Sequence, residues 1–167
     1  MIGAGAQIRP AQPQDLHFII EMARLSCTLE GRASPAPDDP DVIAVLPSQT
    51  DAAFVATDDE GGAIGAAWWH FHDPLLICDV NGTPLPELVI GVLDEARGQG
   101  IGTRLVNALV DEAARREFSA LTLNVHLRNP AARLYMRAGF RVAAAGRGWF
   151  GVAMSRRLHG DSDAGAD

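Results

Sequence analysis

The chain has 167 residues, 14 basic and 21 acidic side chains, and a formal net charge of −7 at pH 7. This length favours one domain with a substantial core, and the acidic balance disfavours nucleic-acid binding, which needs a basic face. All the basic residues are arginine, so a P-loop and lysine Schiff-base chemistry, both of which need a lysine, are excluded.

The sequence has no pattern typical of a membrane span or a signal peptide. Its apolar runs are too short for a span, and the N-terminal segment MIGAGAQIRP lacks a charged region followed by an apolar stretch. Cys27 and Cys78 are too few for a disulfide framework. We therefore expect a cytoplasmic protein that associates with no membrane.

The N-terminal half is predicted to contain both strands and helices. Its predicted elements are, in order, a strand at 6–9, a helix within 13–30, a short helix at 42–46, strands at 52–57 and 63–72, and a buried strand at 87–93. Apolar residues from Leu16 to Ala23 recur at helical spacing. The turn at 58–62 contains glycine, which favours a hairpin. The Pro-rich acidic segment 31–41 is predicted as a loop.

The C-terminal half is predicted to hold two helices and three strands. They are a helix that ends near Arg116, a strand at 119–127, a helix at 129–139, and strands within 140–146 and 149–158. The helix at 129–139 starts with Asn-Pro and ends with Gly, which are typical of helix ends. This order predicts a mixed sheet with helices on both faces, in one domain over 1–158. The acidic tail, 159–167, is expected to be disordered.

A glycine-rich turn stands directly before a long predicted helix, in the segment ARGQGIGTRLVNALVDEAARR from Ala96 to Arg116. The first amides of a helix lack internal partners and the helix dipole is positive there, so such a turn is suited to bind a phosphate. A dinucleotide-binding turn would read G-x-G-x-x-G, but Thr103 occupies the position of its third glycine. We therefore expect a different phosphate ligand.

Two motifs, separated by a predicted strand, carry a resemblance to a known family. The segment Arg97-Gly98-Gln99-Gly100-Ile101-Gly102 fits a Gln/Arg-x-x-Gly-x-Gly/Ala pattern, and NPAARLYMRAGF at 129–140 contains an Asn, a helix, Leu-Tyr and Gly-Phe in order. With both, the sequence resembles the GNAT N-acetyltransferase superfamily over 88–140, and the strand order agrees over about 7–158. The resemblance implies a single-domain α/β (α+β) fold: a mixed, mostly antiparallel sheet flanked by helices on both faces.

The resemblance implies transfer of an acetyl group from acetyl-CoA to a primary amine of a small molecule, by direct attack in a ternary complex. It places cofactor binding at a set of residues: Ile90, Val92, Arg97, Gly98, Gln99, Gly100, Ile101, Gly102, Thr103, Asn129 and Tyr135. Amides from Gly98 to Thr103 would hold the pyrophosphate, and main-chain groups of Ile90 and Val92 would pair with the pantetheine arm. Asn129 would bond the same arm, unless it only caps its helix. Tyr135, the sole tyrosine, would protonate the departing thiolate, unless it is only a packed aromatic.

This chemistry also requires a base, because an alkyl ammonium with a pKa of about 10.4 must lose a proton before it attacks. Glu87 is the first candidate, since some family members carry a glutamate early in this strand. Others carry one where this chain has Asn124, and an amide cannot serve as a base. His70, His72, His126 or a relayed water are further candidates. The structural alternative for Glu87 is an exposed strand-end carboxylate.

Two cysteines, two tryptophans and three aspartates have open interpretations. Covalent catalysis by Cys27 or Cys78 is disfavoured, because no histidine adjoins either in the sequence. Trp68 and Trp69 point to opposite faces of their strand, so one is expected in the core and the other could line the acceptor pocket. The aspartates Asp38, Asp39 and Asp41 of the 31–41 loop could attract an ammonium group or be simply solvated.

Two other functions remain open: a module that senses acyl-CoA without transferring its acyl group, and an enzyme that acetylates a protein or peptide amine. The expected partners are a small-molecule amine and acetyl-CoA as co-substrate, with a homodimer possible. No metal, nucleic acid or membrane partner is expected.

Overall fold

Seven strands form one sheet in the computed structural model, which describes residues 5–28 and 31–159. They are β1 Gln7–Pro10, β2 Ala53–Thr57, β3 Ala63–His70, β4 Glu87–Val92, β5 Ala120–His126, β6 Arg141–Ala145 and β7 Gly151–Arg157. Their order across the sheet is β1-β2-β3-β4-β5-β7-β6. Every neighbouring pair is antiparallel except β4 with β5, which confirms the predicted mixed, mostly antiparallel sheet.

The described residues form four α-helices, which cover both faces of this sheet as predicted. They are α1 Leu16–Cys27, α2 Pro40–Ala44, α3 Ile101–Arg115 and α4 Ala131–Arg137. Because successive strand side chains alternate between faces, each strand supplies both layers. Trp68 and Val89 pack in the cluster under α1 and α2, whereas Trp69 and Leu88 pack in the cluster under α3 and α4.

Both tryptophans belong to the core. Trp68 is 0% exposed and Trp69 is 1% exposed. The indole of Trp68 donates to the Val45 carbonyl at 2.6 Å, and the ring of Trp69 lies edge-on to Phe118. The hypothesis that one of them lines an acceptor pocket is therefore wrong.

Several elements begin or end a few residues from their predicted bounds. β3 ends at His70 rather than at 72. The short helix starts at Pro40, because the Asp39 carboxylate accepts the Asp41 amide and proline is tolerated in a first turn. From residue 160 onward, the predicted acidic tail lies outside the residues that the structure describes. No helix among the described residues is both long and apolar enough to cross a bilayer.

Helix α1 packs directly on the backbone of β4 at Gly91. A Cβ atom on Gly91 would lie 2.9 Å from the Met22 Cβ and 3.0 Å from the Met22 carbonyl oxygen. Both atoms are close to the α1 backbone and cannot rotate away. Glycine at this position therefore sets how closely α1 approaches the strand that lies in the middle of the sheet.

We expect Gly91→Ala to lower the free energy of unfolding by about 1–3 kcal/mol, because the added methyl overpacks a close helix–strand contact. Urea unfolding followed by circular dichroism measures the change. Gly62→Ala is the matched control, since Gly62 is exposed in a turn and its Cβ would meet only the Asp58 carboxylate. Equal stability of the two variants would contradict the close packing.

Candidate active site

The central feature of the site is the incomplete pairing of β4 with β5. The parallel register joins the two strands only at Glu87 and Thr122. There the amide and the hydroxyl of Thr122 both donate to the Pro86 carbonyl at 2.9 Å. Further along, no ladder joins β4 to β5, so the facing edge of β4 is open to a ligand.

Main-chain groups of Ile90 and Val92 face this open edge. The Leu93 amide donates to the Ile64 carbonyl toward β3, at 3.0 Å, whereas the Pro86 carbonyl accepts from Thr122 on the β5 side. Since main-chain groups alternate in direction along a strand, residues 88, 90 and 92 direct theirs toward β5. Of the two residues predicted to pair with pantetheine, Ile90 thus presents its N–H and C=O groups at the open edge, and Val92 presents its N–H there while its carbonyl also accepts from Arg97.

The glycine-rich turn has the backbone conformation expected before a ligand-binding helix end. Gly98 and Gly100 have φ values of 72° and 78°, in the left-handed region that favours glycine. The Arg104 amide donates to the Gly100 carbonyl at 3.1 Å and closes a first turn of α3. By helix geometry, the amides of the residues before it in that turn, Ile101 to Thr103, have no carbonyl within the helix to bond.

The side chains of Arg97 and Gln99 stabilise this turn from outside. The Arg97 guanidinium pairs with Asp94 at 3.0 Å and donates to the Val92 carbonyl at 3.3 Å. The Gln99 side chain donates to the Glu95 carbonyl at 3.0 Å. Both residues of the predicted motif therefore bond the local backbone through their side chains.

Helix α4 meets β4 and the start of α3 at one point. A Cβ atom on Gly102 would lie 3.1 Å from Leu134 Cδ2 and 3.8 Å from Ile90 Cδ1. The next residue of α4 is Tyr135, which is 7% exposed and lies in the same buried cluster. The structure thus brings together the turn, the open edge of β4 and the helix that carries the tyrosine.

Tyr135 is held as a neutral phenol. Burial raises its pKa above the usual value of 10.0, so the hydroxyl keeps its proton at neutral pH. The ring packs edge-on against Phe140, with centroids 6.1 Å apart. Among the residues that the structure describes, none forms a hydrogen bond with this hydroxyl.

Asn129 caps α4. Its side-chain oxygen accepts the Ala131 amide at 2.9 Å, and its carbonyl accepts the Ala132 amide at 3.0 Å. The residue is exposed. The Asn129 oxygen therefore bonds the first turn of α4, and a ligand contact would use its side-chain N–H₂ group.

Glu87 lies on the opposite side of β4 from the Ile90 side chain and is buried, at 5% exposure. The Arg147 guanidinium donates to both carboxylate oxygens, at 2.5 and 2.8 Å. His70 Nε2 is 3.8 Å from Glu87 Oε1. Glu87 is thus not the exposed strand-end carboxylate of the structural alternative but the centre of a buried polar cluster.

Arg147 is the site residue that the sequence analysis missed. It lies between β6 and β7, where the Asn124 side chain accepts its amide at 2.9 Å. Its guanidinium also donates to the Pro74 carbonyl at 3.2 Å. The only local signal is an arginine between two glycines, where the last two predicted strands meet, and nothing in that pattern indicates a partner 60 residues away.

The three histidine candidates have different surroundings. His72 Nδ1 lies 3.3 Å from the Pro74 carbonyl, and His126 Nδ1 accepts the Arg128 amide at 3.1 Å. Burial lowers the pKa of His70 below 6.5, so its ring is neutral at pH 7. The cluster of His70, Glu87 and Arg147 therefore combines a neutral imidazole with an ion pair whose carboxylate is buried and whose guanidinium is partly exposed.

The cysteines, the acidic loop and metal-ligating groups contribute little to this site. Burial raises the pKa of the Cys27 thiol, which disfavours a thiolate nucleophile there. Asp39 caps α2. In residues 5–28 and 31–159, no cluster of His, Cys, Asp and Glu is arranged to hold a metal ion.

A pocket of about 360 Å³ lies between α1 and the 31–41 loop. Its lining residues are Phe18, Glu21, Met22, Arg24, Leu25, Ser34 and Leu93. Arg24 fixes the loop, because its Nε donates to the Pro35 carbonyl at 2.7 Å while Nη1 pairs with Glu21 at 2.9 Å. Leu93 directly follows β4, so the pocket adjoins the strand that carries the open edge.

Comparison with known proteins gives a consistent likeness. The sequence model described as an acetyltransferase (GNAT) domain matches residues 49–142, which is more than half of the chain. A curated relative, the 5-NmdU N-acetyltransferase of Pseudomonas phage PaMx11, is 41% identical over 73 residues, covering 41% of this chain and 50% of that protein. The chain thus spans about half the length of the curated relative it matches.

Solved structures share the fold over nearly the whole chain. A phosphinothricin acetyltransferase from Sinorhizobium meliloti, in complex with AcCoA, is 26% identical with a TM-score of 0.68, over 92% of this chain and 88% of that one. An acetyltransferase from Salmonella typhimurium, with its cofactor acetyl-CoA, has a TM-score of 0.69 at 19% identity, over 97% and 99% of the two chains.

Proposed function

Since the chain belongs to the GNAT family of acetyltransferases, we propose that it transfers an acetyl group from acetyl-CoA to the primary amine of a small molecule, by direct attack in a ternary complex. The observation that carries this proposal is the meeting of three features at Gly102: the free end of α3, the open edge of β4 and the helix of Tyr135. Each feature suits a different part of acetyl-CoA: the end of α3 suits the pyrophosphate, the edge of β4 suits the pantetheine arm, and Tyr135 suits the thioester sulfur.

The backbone of the glycine turn and of β4 binds acetyl-CoA. Amides between Gly98 and Thr103 donate to the pyrophosphate, where the helix dipole is also favourable. Ile90 and Val92 pair with the amides of the pantetheine arm as an added strand. Asn129 adds its side-chain N–H₂ group while its oxygen caps α4. Arg97 and Gln99 shape the turn through their bonds to Val92 and Glu95.

Glu87 takes the proton that the acceptor amine must lose. At pH 7, deprotonating an alkyl ammonium costs roughly 4–5 kcal/mol, and a nearby base lowers that cost in the transition state. The carboxylate is on the strand that orients the thioester and is kept in place by Arg147. A carboxylate has about four lone-pair sites, so it can accept a proton while the guanidinium bonds two of them.

The remaining charges develop at the thioester. A main-chain N–H near Val92 donates to the tetrahedral oxyanion, which needs a preorganised donor. Tyr135 gives a proton to the departing thiolate. Because its pKa is raised, the phenol acts first as a hydrogen-bond donor that stabilises the thiolate, and transfers the proton as the sulfur becomes basic.

The acceptor amine must reach Glu87 at the start of β4. The pocket between α1 and the 31–41 loop adjoins Leu93 beyond the other end of this strand, about 20 Å away at 3.3 Å per residue, so we do not assign the acceptor to it. The phage relative is named as a 5-NmdU N-acetyltransferase, so 5-NmdU belongs in any set of acceptors that is tried, beside amino acids, polyamines and peptide amines.

We expect at least one amine of this set to release free thiol from acetyl-CoA in the presence of the protein. Acetyl-CoA should also protect the fold against heat, by about 2.7 kcal/mol at 100 times its Kd. S-Acetylpantetheine, which lacks the pyrophosphate, should protect much less. Protection by acetyl-CoA without thiol release from any amine would favour a module that only senses acyl-CoA. Equal protection by both thioesters would contradict pyrophosphate binding by the amides between Gly98 and Thr103.

We expect Tyr135→Phe to lower kcat by about a hundredfold or more at neutral pH, because only the hydroxyl group is lost and the ring still packs against Phe140. The affinity for CoA, measured by calorimetry, should change little. A variant with the wild-type rate would show that Tyr135 is not the acid.

We expect Glu87→Gln to lower kcat by about 10²–10⁴-fold, since an amide of similar size cannot accept the proton. Thiol release measures the rate, and protection by acetyl-CoA shows that the fold persists. Glu60→Gln is the matched control, because Glu60 is exposed in the turn between β2 and β3. Comparable rates for the two variants would remove Glu87 from the mechanism.

A further inference from the structure

His70 is a buried histidine without hydrogen-bond partners. The residue is 2% exposed, and within the described part of the chain neither ring nitrogen has a hydrogen-bond partner. Buried polar groups are nearly always hydrogen-bonded, because leaving one unpaired is unfavourable. An apolar side chain would avoid that cost, so the fold alone gives no reason for an imidazole here.

The β3–β4 register places this imidazole beside Glu87. His70 is the direct cross-strand partner of Glu87. Nε2 is 3.8 Å from Glu87 Oε1, about 1 Å beyond hydrogen-bond length. Arg147 contacts the same carboxylate from the β6–β7 side. A small approach of the two side chains would therefore join them while the ion pair stays formed.

His72 continues the path from His70 toward the surface. The two rings lie edge to face with centroids 5.8 Å apart. His72 is partly exposed, and its Nδ1 faces the Pro74 carbonyl. The path thus leads from two buried side chains, Glu87 and His70, to the partly exposed His72.

The charged groups around His70 partly offset one another. Four groups act on it electrostatically: Glu87 from β4, Arg147 from the β6–β7 turn, His72 from beyond its own strand and Asp51 from the segment before β2. Burial lowers its pKa most, and the Glu87 and Asp51 carboxylates oppose that effect. A neutral imidazole beside a carboxylate retains a lone pair for a passing proton.

We propose that His70 is a positioning residue that receives the acceptor proton from Glu87 and passes it toward His72 and solvent. This proposal rests on the proposed function. The ammonium N–H bond breaks as an O–H bond forms on Glu87. That O–H bond then breaks as an N–H bond forms on His70 Nε2, which restores the carboxylate against Arg147. The imidazolium returns to neutral by losing a proton toward His72, so the balance is one proton released to water.

The first test measures the proton affinity of His70 in the 167-residue chain. It uses ¹⁵N NMR of the histidine rings over a pH series. We expect the proton affinity of His70 to fall about tenfold in Glu87→Gln and to rise about tenfold in Arg147→Gln. A change of about tenfold is the strength of interaction at which two sites titrate as a pair. The signs follow from the removed anion and the removed cation. His17, exposed on α1, is the internal reference.

A His70 titration within about twofold of wild type in both variants would overturn the inference, whether or not any amine is acetylated. A coupled titration with no thiol release from any amine of the acceptor set would instead overturn the proposed function. The two failures are therefore distinguishable.

The second test separates the relay from a structural role. In His70→Leu the midpoint of urea unfolding should stay or rise, because two unpaired nitrogens are removed, while kcat falls by about tenfold or more. In the wild type, protonation of His70 should make kcat/KM fall more steeply as the pH is lowered. The His70→Gln variant should lose this additional steepness. His17→Gln should match the wild type in both assays. A His70→Leu variant with full activity, or one that loses stability in step with its activity, would contradict the relay.

Discussion

The unequal edges of β4 are the constraint on which the site depends. One edge is fully paired with β3, and the other is paired with β5 only beside Glu87. Backbone donors and acceptors that are removed from water need partners. The main-chain groups of Ile90 and Val92 are therefore suited to a ligand that is itself strand-like, and the free amides at the start of α3 fix where such a ligand must end.

Successive side chains of β4 point to opposite faces of the sheet, and this separates the two proton transfers of the proposed reaction. On β4, the side chains of Leu88 and Ile90 pack toward α3 and α4, the layer that contains Tyr135. Glu87 and Gly91 belong to the other face, where α1 lies. An acid and a base on opposite faces of one strand approach the reacting thioester from different sides, and burial, which raises the pKa of Tyr135, keeps the acid protonated at neutral pH.

The fold and the glycine turn before α3 could be predicted from the sequence because their signals are local. A glycine between alternating apolar segments indicates a hairpin, and Gly98 with Gly100 before an amphipathic segment indicates a strained turn at a helix start. Both features follow from residues within a few positions of each other.

The partner of Glu87 could not be predicted in the same way. Arg147 meets Glu87 only after β5 and β7 have placed the β6–β7 turn beside it, and that placement depends on the Asn124 contact. Sequence patterns do not encode such long-range neighbours. The isolation of His70 is likewise a property of the packed sheet, since the same residue at an exposed position would be hydrated.

The composition of the polar cluster argues for a role in chemistry rather than in stability. A buried ion pair adds little net stability compared with apolar side chains of the same volume, because desolvation offsets much of the attraction. An unpaired imidazole beside it is unfavourable outright. A chain selected for stability alone would place apolar residues at the buried positions 70 and 87. The polar residues found there, where β4 separates from β5, support the proposed proton transfer.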